Sequence, residues 1–243
     1  MSTTRGVAEA VLDEIVCAGV ALDVFHADQA RLLLEELDGF LERINQTGMG
    51  KRFFANLQLI LLRDLILGLS RLYEPYSPRN PGRSLPAAAR HIATHAAELR
   101  VLDRGSLIEF LTRRGESRQA IEQLSGEQLS VALARHLDTH VPRADSGSAR
   151  PLDQALTHLK AVRDRAIAHH DRVIHSSLLV PGWAQLVELI HSAREIVALV
   201  AQAYLSVSYD LASDASQAAS SLQRLLKRAG LAQNPGLGGD DVG

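Results

Sequence analysis

Apolar side chains recur every three or four residues along almost the whole chain, and they nowhere alternate for more than a few positions. That spacing lines them up on one face of a helix and would scatter them over both faces of a strand. A chain patterned this way buries its apolar surface by packing helix against helix. Composition agrees: Ala and Leu dominate, and Gly and Pro are sparse inside the long segments, which favours helix. The periodicity predicts helices over 7–25, 28–45 (inner side Leu33, Leu37, Phe40, Leu41 and Ile44) and 51–73. Shorter pieces follow at about 84–101, 104–114 and 117–139, then longer ones at 150–171 and 182–211, and a polar helix at 214–229. Gly48-Met49-Gly50 breaks the chain, and the loop 74–82 holds three prolines in nine residues. The expected fold is all-α: an up-down helical bundle with short connections, a helical insertion and a disordered C-terminal tail. By domain, 1–25 forms an N-terminal helix, 26–212 the bundle with 84–141 as the insertion, and 213–243 a C-terminal helix and flexible tail.

Charge narrows the function classes. Against 26 Lys and Arg stand 28 Asp and Glu, so bulk electrostatics exclude a broad clamp on nucleic acid or on an anionic membrane. The single Cys17 excludes a disulfide framework and a four-cysteine zinc site. No signal peptide is visible, and apolar runs are interrupted well short of a membrane span. A cytoplasmic protein without membrane attachment is expected. The charge is nevertheless uneven: residues 143–175 hold six Arg or Lys, four Asp and four of the ten histidines.

Helix 150–171 lies in that region. At about 100° per residue, Leu152, Ala155, Leu156, Leu159, Val162 and Ala166 form one stripe. Arg163 and His170 fall within it, about 20° apart and roughly two turns along the helix; His169 lies on its margin beside Arg165. A guanidinium on a core-facing stripe must be paired or must serve a ligand, and adjacent histidines titrate near neutral pH. Two readings are open from the pattern alone. Arg163 bridges a neighbouring carboxylate while His169-His170 answer the helix dipole, or the end of the helix is a polar site.

The run Arg163-Asp164-Arg165-Ala-Ile-Ala-His169-His170-Asp171 resembles the signature of HEPN domains, and its form is close to that of the AbiU-type abortive-infection branch. Ser70-Arg71-Leu72-Tyr73-Glu74-Pro75, ending a long helix before a Pro-rich loop, and Pro181-Gly182-Trp183, opening the helix after the motif, resemble the same branch. The likeness spans roughly 25–210. It implies a helical bundle that forms a homodimer through the motif face. It also implies a metal-independent endoribonuclease of a toxin–antitoxin or phage-defence system, with RNA as substrate, an antitoxin as a further partner, and neither cofactor nor metal. By motif position Arg163, Asp164 and His169 carry the chemistry, with His170 as substitute or second proton carrier. Helix geometry favours His170 as the partner of Arg163, whereas the Ala-His-x-Asp match favours His169. The tyrosine that some toxin relatives carry two residues after the histidine, where a nucleotidyltransferase antitoxin modifies it, is Asp171 here. The alternative function is a catalytically silent helical module that binds nucleotide, RNA or a protein.

Arg165, Arg63 and Asp64 are the added binding candidates. Arg63-Asp64 interrupts the most apolar helix, as a structural ion pair or as the far wall of the site. His91/His95 and His136/His140 have i,i+4 spacing, but without a His-Glu-x-x-His arrangement they read as surface histidines rather than zinc ligands. Trp183 is expected to anchor the core.

Overall fold

The computed structural model describes residues 6–48, 50–79, 81–145, 147–168 and 181–231, with 166–168 and 214 described by their backbone alone. Among these residues there are eleven α-helices and no strand. The chain opens on α1 (Val7–Ile15), which passes through a π turn (Val16–Val20) into α2 (Ala21–Asp38). The break expected near residue 26 is absent. Val16 and Ala21, at the junctions, both keep right-handed helical dihedrals. The break comes instead at Gly39-Phe40, and α3 (Leu41–Thr47) follows. Gly48 ends α3 at φ 67° and Gly50 opens α4 (Lys51–Leu72) at φ 66°. Both angles lie in the left-handed region that glycine alone enters cheaply.

Helix α2 is the centre of the molecule, packing along α4 on one side and the C-terminal helix on another. Gly68 permits the first contact: a Cβ there would sit 3.2 Å from the Ala27 Cβ. Leu65, Leu69 and Leu72 of α4 are fully buried in the same cluster as Val24 and Leu37 of α2. Burying one such leucine contributes about 2 kcal/mol.

Ser84 caps α5 (Leu85–Thr94) by accepting from the Ala87 N–H, and Asp103 caps α6 (Arg104–Arg113) in the same way from Ser106. The single helix expected over 117–139 is two, α7 (Arg118–Glu122) and α8 (Gly126–His140). Ser125 and Gln128 form a reciprocal capping box, which restarts the chain as a new helix. The segment 84–141 packs into the common core through Leu85, Ile92, Phe110, Leu133 and Leu137. Beyond it come α9 (Pro151–Val162), which continues as a π turn (Arg163–Ala168), and α10 (Trp183–Val200), which continues as another (Ala201–Leu205).

The helix expected to reach 211 stops at Ser206, whose φ of 56° leaves the right-handed region. Asp210 then caps α11 (Leu211–Arg228), three residues earlier than the pattern suggested. Leu226, Ala215 and Ala219 are buried on α11, which lies along α2. The candidate histidines His169 and His170, with Asp171, residues 172–180 and the tail from 232, lie outside the described residues.

Candidate active site

The motif helix is anchored at its start by a buried carboxylate. Asp153 is 3 % exposed and takes four donors: Ser148 Oγ at 2.6 Å, the Arg143 backbone N–H at 2.9 Å, and Arg150 Nε and Nη2 at 2.7 and 3.0 Å. Burial alone would raise its pKa; the hydrogen bonds outweigh burial and hold it below the ordinary 3.8. Pro151 in the first turn suits a helix start. From there Ala155, Leu156 and Leu159 are buried, with Leu152 and Val162 half-buried against the core. The expected stripe therefore packs inward as far as Val162.

At Arg163 the helix changes pitch. A π turn closes i→i+5 bonds and is common at functional sites. It rotates less per residue than an α-helix, so the α-helical azimuths that set His170 beside Arg163 hold only as far as Val162. Arg163 itself is three-quarters buried, its side chain 24 % exposed. Its Nε donates to Asp164 Oδ1 at 2.8 Å. Its terminal nitrogens have no hydrogen-bond partner among the described residues. An arginine held at Nε by a neighbouring carboxylate has a fixed plane and presents its outer edge to a ligand.

Arg163 borders a small cleft, of about 60 Å³, between α9 and the end of α4. Lys160 and Arg163 line it from one side, and Ser70, Tyr73, Glu74 and Pro75 from the other. The fold thus brings together two segments that are ninety residues apart in sequence. The α4 end is held rigidly. Tyr73 is buried, and its hydroxyl donates to the Leu189 carbonyl of α10 at 2.6 Å. Burial pushes its phenol well above the ordinary value. Ser84 Oγ donates to the Glu74 carbonyl at 2.8 Å. Arg71 turns instead to Asp23 of α2, at 2.7 Å.

The other candidates lie apart from this cleft. Arg165 is exposed. Arg63 and Asp64 are not buried within their apolar helix: their side chains are half-exposed, they face one another at 3.6 Å, and neither bonds to Arg163. Asp64 borders a different hollow, with His26 and Arg71. Leu61, Leu65 and Ile66 take the buried side of that helix, which leaves positions 63 and 64 to solvent. Trp183 is a surface residue, not a core anchor; its indole N–H donates to Glu35 Oε1 at 3.0 Å. It borders a larger, mostly apolar groove of about 660 Å³ with Leu34, Leu59 and Leu62, which no cation lines among the described residues. His136 is buried rather than superficial, stacked on His140 with ring centres 4.0 Å apart. Among the described residues no three of His, Cys, Asp and Glu converge as metal ligands would. The residues that sequence reasoning missed are Ser70 as a cleft side chain and Lys160. The Ser70–Pro75 run was the available signal, because it recurred alongside the motif in the resemblance.

A helical bundle carrying an Arg-Asp pair where its motif helix loosens into a π turn fits the HEPN class. The HEPN family model described as AbiU2 matches residues 25–225, most of the chain, and the protein belongs to that family. Among curated proteins and among solved structures no significant match was found. Of the helices described, α4 alone is long and apolar enough to cross a membrane by length and composition.

Proposed function

We propose that the protein is a metal-independent endoribonuclease of an abortive-infection or toxin–antitoxin system, acting on RNA in the cytoplasm as a homodimer with apposed motif faces. One observation carries this: Arg163 is mostly buried, oriented at Nε by Asp164, and free at its outer nitrogens among the described residues, beside a cleft. A guanidinium placed so can neutralise charge on the non-bridging oxygens of a phosphorane.

In the proposed reaction an imidazole removes the proton from a ribose 2′-OH, whose oxygen then attacks the adjacent phosphorus. The P–O2′ bond forms as the P–O5′ bond breaks. The departing O5′ takes a proton from a second imidazole, leaving a 2′,3′-cyclic phosphate and a 5′-hydroxyl. His169 is assigned as the base by motif position, and His170 as substitute or second carrier, from the same chain or the partner. An antitoxin partner is part of the same proposal. Because Asp171 stands where a modifiable tyrosine would, control by modification at that position is not expected.

Purified protein is incubated with end-labelled single-stranded RNA in EDTA, and product ends are mapped. The expected outcome is cyclic-phosphate termini, with activity falling at least about 100-fold in His169→Ala and His170→Ala combined while the fold is retained. Unchanged activity in both single variants and the double variant would sink the assignment. RNA binding without any cleavage would favour the silent binding module instead.

A further inference from the structure

We propose that the cleft between the ends of α4 and α9 seats one phosphoryl oxyanion of single-stranded RNA, with the Ser70 hydroxyl as its buried donor. This rests on the nuclease reading of Arg163 and adds to it a binding group from another helix.

The starting observation is a hydroxyl with nothing to do. Ser70 is 8 % exposed, and its Oγ is buried without a hydrogen-bond partner among the described residues. Buried hydroxyls are nearly always paired, and helical Ser and Thr usually bond back to the carbonyl one turn earlier. Thr94, Ser130, Thr139 and Thr157 all do so in this protein, at 2.9 to 3.1 Å. Ser70 does not, and it lines the cleft that Arg163 and Lys160 border.

Size and charge identify what would satisfy it. About 60 Å³ is room for roughly two waters, the scale of one tetrahedral group. The donors available are the Ser70 hydroxyl, the outer nitrogens of Arg163 and the Lys160 ammonium. Asp164 engages Arg163 only at Nε, and among the described residues the one carboxylate lining the cleft is that of exposed Glu74. Two cations and one neutral donor around such a volume suit an oxyanion. A seat this small would grip the backbone of a strand without reading its sequence.

Thr112 supplies an internal control. Its Oγ1 is the other buried, unpartnered hydroxyl described, but it sits on α6 and does not line the cleft. The test measures Kd of the full chain for a 2′-O-methyl RNA oligonucleotide, which cannot be cut, and KM and kcat for the cleavable strand. Wild type, Ser70→Ala and Thr112→Ala are compared, with inorganic phosphate as a competitor. Ser70→Ala should weaken binding and raise KM about tenfold, the scale of one hydrogen bond to a charged acceptor. Its melting temperature should be unchanged or higher, because the hydroxyl contributes nothing to the free fold; Thr112→Ala should bind as wild type does.

Ser70-dependent binding of the uncuttable strand, with no cleavage by wild type, would remove the nuclease reading and leave the seat standing. Binding of phosphate but not of RNA would overturn the assignment to a strand. Wild-type cleavage with equal Kd and KM in Ser70→Ala would overturn the seat alone. So would a lowered melting temperature with unchanged Kd, or no binding of either probe.

Discussion

Asp28 shows how one side chain can hold two helices in place. It is fully buried on α2, and its carboxylate is shared between Arg31, at 2.7 Å, and Arg194 of α10, at 2.9 Å. Arg31 continues to Glu35 at 2.8 Å, and Glu35 accepts from Trp183. Asp28→Ala would leave the mostly buried Arg194 guanidinium without its counter-charge and Arg31 with Glu35 alone. A loss of about 3 kcal/mol follows, to be read from the urea midpoint; a change under about 0.5 kcal/mol would contradict the burial argument. Tyr73→Phe is milder, since the Leu189 carbonyl lies within α10 and keeps its helical partner, and about 1 kcal/mol should be lost with the buried hydrogen bond. Because Tyr73 also borders the cleft, RNA cleavage by that variant should fall along with its stability if the α4 end must be rigid.

At the scale of elements, the close approach of α2 and α4 depends on Gly68. A β-branched side chain there would meet Ala27, since even the first carbon comes to 3.2 Å. Gly68→Val should destabilise by about 1–3 kcal/mol, measured by thermal unfolding; an unchanged melting temperature would show that the helices part freely. The π turn at Arg163–Ala168 gives a second prediction. Deleting Ala166 would remove the widened turn and restore α-helical pitch, re-aiming the side chains within the turn itself. Helix content by circular dichroism should persist while cleavage is lost, and a fully active deletion would show that the altered pitch has no role. The elements also show what was legible in the residues. Three-and-four spacing located nearly every helix, and Gly48, Gly50 and Ser84 marked their ends as turn chemistry requires. The pattern missed the merged α1–α2 rod: Asp28, where a second helix was expected to begin, is instead buried in mid-helix and paired with Arg31 and with Arg194 of α10. It missed the split at Ser125, where a capping box interrupts an unbroken apolar rhythm. The π turns left no trace, because a single inserted residue looks like ordinary scatter in the spacing.

The whole molecule adds a pH dependence that no element has alone. Burial, then the neighbouring His140 and Arg114, depress the pKa of His136; burial chiefly depresses that of His91, despite its bond to the Ala8 carbonyl. A histidine with a folded pKa below its ordinary 6.5 is protonated more readily when unfolded. Its contribution is therefore complete above about pH 6.5 and is lost as pH falls below it. Asp103 and Asp153, both held below 3.8 by hydrogen bonds, add a second loss below that value. Urea unfolding across pH 4–8 should show stability declining below 6.5, and less steeply in His136→Gln; a flat profile would contradict the burial of these rings.

The site was legible only in part. Arg163 stood out as a charge where an apolar stripe should continue and Asp164 through the motif alone, whereas Ser70 was marked only by the run it opens, since a hydroxyl's lack of a partner exists only in the folded chain. The central claim is that Arg163 faces a reacting phosphate. Single-turnover cleavage of one RNA strand by wild type, Arg163→Lys and Arg163→Ala measures this most directly. Lysine keeps the charge but loses the fork that Asp164 orients. The rate should fall at least about tenfold in the lysine variant and about 100-fold or more in the alanine variant, with folding intact in both. Equal rates in all three proteins, or a wild type that yields no cyclic-phosphate ends, would contradict it.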